Sequence, residues 1–151
     1  MKAPTSTLER LVSRRLSALP GAETGRNSWG VLWFKWASPC PEIEALWLSV
    51  TPHEVVLSCK VGHSHFSRST YHHEKLTNLR LKRRIAKEAV KEAARFLRSE
   101  IAVATEVKND GSQGSSMWCR TSQLSAALEH SRQVLGPAQH RAWVWSGAVA
   151  C

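Results

Sequence analysis

The chain has 151 residues, 42% hydrophobic and 22% charged, which supplies a packed core and excludes wholesale disorder. Its 21 Lys and Arg against 12 Asp and Glu give a formal charge of +9 and a pI near 10.0, which points to an acidic partner. No apolar run approaches the roughly 18–20 residues that cross a bilayer, and no apolar block marks a secretory signal, so a cytoplasmic location without a membrane partner is expected.

Pro4-Thr5-Ser6-Thr7-Leu8-Glu9 reads as a helix start, with Ser6 as cap and Glu9 completing a capping box. An apolar stripe follows at Leu8, Leu11, Val12, Leu16 and Leu19, until Pro20-Gly21 stops it. A membrane-surface or transit role is the minor alternative for this basic helix. Residues 21–28 read as a loop. Trp29 to Trp36 is apolar at both parities, which predicts a strand covered on both faces, broken by Ser38-Pro39-Cys40-Pro41.

Ala45–Val50 and Glu54–Lys60 predict a hairpin across Thr51-Pro52-His53, with Leu46, Leu48 and Val50 on one face and Val55, Leu57 and Cys59 on another. Residues 62–73 are polar and histidine-rich and read as a loop. A long helix is predicted over 76–99, its apolar side formed by Ile85, Ala89, Ala93, Phe96 and Leu97, with Lys82 at the same angle loosening its first turns. Ile101–Val107 and Met117–Arg120 predict strands around an Asn109-Asp110-Gly111 turn. A short helix over 121–135, built on Leu124, Ala127, Leu128 and Leu135, ends at Gly136-Pro137, and Ala142–Trp145 adds a strand. These elements predict a single α+β domain over 1–151: a largely antiparallel sheet packed by an N-terminal helix and a long basic amphipathic helix.

That basic face is the main pointer to function. Arg80, Arg84, Lys87, Lys91, Arg95 and Arg98 fall at steps of four, three, four, four and three, which confines them to about 80° of one helix, opposite the apolar side. Glu88 and Glu92 are spaced to pair with Arg84, Lys91 or Arg95.

His63, His65, His72 and His73 cluster just after Cys59. Rings at i and i+2 of an extended segment face one side and can grip zinc, but no second ligand cluster completes a site, so no metal is expected and a structural or partner-contact role is favoured. Cys40, Cys59, Cys119 and Cys151 are irregularly spaced without a Cys-x-x-Cys pair, which favours reduced thiols.

The sequence has no phosphate-cradling glycine loop, Gly-x-Ser-x-Gly or His-Glu-x-x-His, so neither an enzyme nor a cofactor is expected. The order helix, three strands, helix is that of a double-stranded-RNA-binding domain, which makes RNA or DNA the alternative partner, the basic helix facing phosphate and tryptophans available for stacking. The Lys-rich start of such a domain's second helix is replaced here by Asn78-Leu79-Arg80-Leu81-Lys82-Arg83-Arg84.

Leu46-Trp47-Leu48-Ser49-Val50-Thr51-Pro52-His53-Glu54-Val55-Val56-Leu57, then Gly62-His63-Ser64-His65-Phe66, Glu88-Ala89-Val90 and Glu100-Ile101-Ala102-Val103, resemble small bacterial immunity-type proteins of polymorphic toxin systems. The likeness spans residues 29–107 and departs after Phe66, where a basic stretch replaces an acidic one. It implies a stoichiometric inhibitor of a cognate toxin, whose acidic face this cationic chain would meet. His63, His65 and Phe66 match its motif and join the ridge as candidate partner-binding residues.

Overall fold

The computed structural model describes residues 6–71 and 78–150. Helix α1 (Thr7–Leu16) is followed by strands β1 (Glu23–Arg26), β2 (Leu32–Ala37), β3 (Ile43–Val50), β4 (Glu54–Val61) and β5 (Ser64–Tyr71), then helix α2 (Leu79–Leu97). Strands β6 (Ile101–Val107) and β7 (Gln113–Arg120) come next, then a 3-10 turn (Thr121–Gln123), helix α3 (Leu124–Leu135), β8 (Gln139–Val144) and β9 (Gly147–Val149). The fold is α+β, with two antiparallel sheets in the orders β1-β2-β3-β4-β5 and β7-β6-β8-β9 where one was expected. No helix among the described residues is long and apolar enough to cross a membrane.

Two compact units share the chain, interleaved in sequence. One holds Met1–Ala37, Ala45–Cys59 and Ser67–Ala94, the other Ser38–Glu44, Lys60–Phe66 and Arg95–Cys151.

In the first unit, α1 and α2 cover the inner face of the first sheet. Ser6 Oγ caps α1 by accepting from the Glu9 amide at 3.0 Å, and Leu8, Val12 and Leu16 are buried. Glu9 also takes a partner that local spacing did not indicate: its carboxylate meets the Arg26 guanidinium at 2.6 Å, which pushes the arginine's affinity for its proton higher still. Residues 21–28 are therefore not all loop. β1 pairs antiparallel with β2, placing Gly25 opposite Trp33. A Cβ on Gly25 would sit 2.6 Å from Trp33 Cζ2, so the indole covers a backbone that only glycine leaves open.

β2 buries Leu32, Phe34 and Trp36 on the inner face and leaves Trp33 and Lys35 half-exposed on the outer one, so it is covered on one face rather than both. Trp29 precedes the strand and is 88% exposed. The β3–β4 hairpin forms as expected, its connection held by Thr51 Oγ1, which accepts from the Glu54 amide at 3.1 Å. The histidine-rich stretch is another correction: it is edge strand β5, entered through Gly62 at φ 59°. Its alternation of buried Ser64 and Phe66 with exposed His65 and Ser67 is a strand pattern hidden by its polarity. His72 and His73 lie outside the described residues.

The second unit is built on β6. Ala102 and Ala104 pack with Leu124 and Leu128 of α3 and with Ala142 and Val144 of β8. Val103, Thr105 and Val107 take the other parity, and Val103 and Thr105 pair with Trp143 and Arg141. Leu135 was expected in the core of α3 but, with its neighbour Val134, is exposed in the last turn of the helix, which Gly136 ends at φ 88°. Phe96, expected against the first sheet, packs in this unit against Trp118, tilted, and Trp145, edge-on, with ring centroids at 5.0 and 5.8 Å.

Candidate functional site

α2 carries the cationic ridge. Its sequence is rich in Ala, Leu, Lys, Arg and Glu, all strong helix formers, with no Gly or Pro. Asn78 starts it, its Oδ1 accepting from the Arg80 amide at 2.8 Å. At the other end the Ser99 amide reaches the Phe96 carbonyl at 3.0 Å and the Glu100 amide reaches that of Arg95 at 2.9 Å. This paired closure ends the helix two residues before its expected stop. Ser99 holds the left-handed position at φ 61°, normally taken by glycine, which is why the sequence shows no stop there.

Ile85, Ala86, Ala89, Val90, Ala93 and Phe96 are buried, while Arg80, Arg84, Lys87, Lys91 and Arg98 are exposed. Arg95 departs from the expected ridge in being half-buried, and Leu97 is half-buried on the apolar side. None of the five exposed cations forms an ion pair with a described residue. Glu88 and Glu92 flank the ridge and line a narrow pocket of about 80 Å³ with Val55, Leu57, Arg68 and Ala89. Glu88 forms no ion pair with Arg84 or Lys91, contrary to the pairing that spacing suggested. These five cations thus form a run of like charge without ion pairs to described residues, at which a polyanionic or carboxylate-rich surface gains most.

The other candidates fare differently. Phe66 is 3% exposed, so it anchors β5 in the core and offers no surface to a partner, a correction to its expected role. His65 is exposed on β5, but His63 occupies the Gly62-His63 turn, so the two rings do not share an extended i, i+2 segment. No group of three or more His, Cys, Asp or Glu among the described residues is placed to hold a metal. Cys59 is buried, and burial pushes its thiol up to about 12, away from the thiolate that ligation needs. Cys40, Cys59 and Cys119 are all free.

One surface was missed from the sequence. Across β2 and β3, the outer-face rings of Trp33 and Trp47 meet edge-on at 5.3 Å, and Lys35 Nζ lies 4.9 Å from the Trp47 ring centroid. Trp29 stands at the β1–β2 turn, fixed there by Asn27 Oδ1, which accepts from the Trp29 and Val31 amides at 2.9 and 3.0 Å. The alternation of Trp33 with buried Phe34 was the available signal, obscured because both faces read as apolar. Among the described residues five strands lie between α1 and α2, not the three of a double-stranded-RNA-binding domain. Comparison with protein-family profiles, with curated proteins and with solved structures returns no match.

Proposed function

We propose that the protein is a stoichiometric binding module, an immunity-like inhibitor of a bacterial toxin, which meets an acidic face of its partner with the α2 ridge. The observation that carries the binding surface is the set Arg80, Arg84, Lys87, Lys91 and Arg98: exposed, without ion pairs to described residues, and fixed by a buried opposite face. The toxin itself comes from the resemblance over residues 29–107 and from no feature of the ridge. Charge of one sign at this density accelerates encounter with an acidic surface more than it adds affinity.

The test isolates a partner on the tagged full-length chain and asks whether co-expression suppresses that partner's toxicity. The reading expects a one-to-one complex whose association slows about tenfold when Lys87 and Lys91 are both changed to Glu, and more so at low salt. Equal association by the reversed variant would remove the ridge from the interface. Retention on bulk RNA with a steep salt dependence, and no protein partner, would replace the reading with nucleic-acid binding.

A further inference from the structure

The second unit contains a cleft of about 410 Å³, distinct from the ridge and lined by residues that include Glu42, His63, Ser64, Thr105, Arg141 and Trp143. It opens on the face of β6 and β8 opposite α3, where Thr105 and Arg141 are register partners. Its volume lies in the range of small-molecule sites.

Two features set this cleft apart from a solvated groove. Ser64 is 4% exposed, and its Oγ has no hydrogen-bond partner among the described residues. Thr105 is 3% exposed, and its Oγ1 reaches the Glu106 carbonyl at 3.4 Å, a marginal bond. Buried hydroxyls are normally satisfied, so two under-satisfied ones lining a single cleft call for a polar occupant.

The second feature is charge. Glu42 and Arg141 are exposed and line the cleft, yet they form no ion pair with one another. Glu42 is held by Trp143, whose Nε1 donates to Oε2 at 2.9 Å, which leaves the carboxylate's other oxygen for a further donor. Arg141 supplies a guanidinium suited to a carboxylate.

We infer that this cleft binds a small zwitterion of the α-amino-acid class, its carboxylate toward Arg141, its ammonium toward Glu42, and a buried hydrogen bond to Ser64. A simple anion would leave Glu42 unused and repelling; a simple cation would do the same with Arg141. The inference does not rest on the toxin-inhibitor reading, and the ridge reversal leaves it untouched.

Calorimetric titration of the full-length chain with individual free L-α-amino acids, with propionate and with ethylamine tests it. At least one amino acid should bind at millimolar concentration or better, and propionate and ethylamine about tenfold or more weakly. Arg141→Gln and Glu42→Gln should each weaken that binding about tenfold, and Ser64→Ala several-fold, with unchanged circular dichroism. Arg141→Lys should retain part of the affinity, which separates loss of charge from loss of fold. Propionate binding as tightly as the amino acid would overturn the inference, as would no binding by any probe to the folded chain, water then serving the hydroxyls.

Discussion

Ser99 and Cys59 show how single positions are fixed by surroundings that local sequence does not display. Ser99 adopts a backbone conformation that costs a non-glycine residue about 1 kcal/mol. Hydrogen bonds offset this: Ser99 Oγ accepts from the Ser146 amide at 3.1 Å, and the Ser99 backbone carbonyl accepts from Thr121 Oγ1 at 2.7 Å. Ser99→Ala keeps the strain and loses the side-chain bond, whereas Ser99→Gly relieves the strain. Denaturant titration should therefore find the alanine variant less stable than the glycine variant by about 1 kcal/mol.

For Cys59, burial raises the thiol from 9.0 to about 12. Below pH 9 the thiol is protonated whether the chain is folded or unfolded, and it contributes no pH dependence. Between pH 9 and 12 the unfolded chain alone ionises, so stability falls as pH rises through that window, by up to about 1.4 kcal/mol per pH unit. Comparing urea midpoints of the wild type and Cys59→Ala across this range should show the extra slope in the wild type only. Native Cys59 should also resist thiol reagents at pH 8 for longer than half-buried Cys119.

Among the elements, α2 separates its buried side from its charged side most cleanly. Its buried side consists of Ile85, Ala89, Ala93 and their neighbours, while Lys87 and Lys91 project into solvent without ion-pair partners among the described residues. Changing both to Glu should leave the melting temperature within a few degrees, since exposed charges contribute about 0–1 kcal/mol. A large drop in thermal scanning would mean that these side chains hold the fold and are not free for a partner. Helix and ridge were legible because a 3.6-residue period is a local property that solvent and core read directly. β5 was not legible, because a strand in which six of eight residues are serine, threonine, histidine or arginine carries little apolar signal and depends on β4 for its hydrogen bonds.

At the scale of the molecule, the chain weaves between two units, and α2 enters both: Ala89 lies in the first and Phe96 in the second. Phe96 is 1% exposed between Trp118 and Trp145. Phe96→Ala should cost about 3–5 kcal/mol in the equilibrium unfolding free energy. The same truncation should alter near-ultraviolet circular dichroism through the two indoles, a signature that ties the loss to this cluster. An unchanged unfolding midpoint would contradict the packing described.

By itself the sequence determined the α+β class, α1 with its Ser6 cap, the β3–β4 hairpin, the span of α2 to within a few residues and the one-sided display of its cations. Each follows from periodicity, capping or turn chemistry acting over a few neighbouring residues. Tertiary structure decided the rest: the division into two sheets, the recruitment of β1 under Trp33, the burial of Phe66, and the meeting of Glu42, Ser64, Thr105 and Arg141 at one cleft. The physical reason is separation along the chain. Pairing of strands and burial of a hydroxyl depend on partners tens of residues away, and these are matched only when the whole set of apolar faces has found mutual cover.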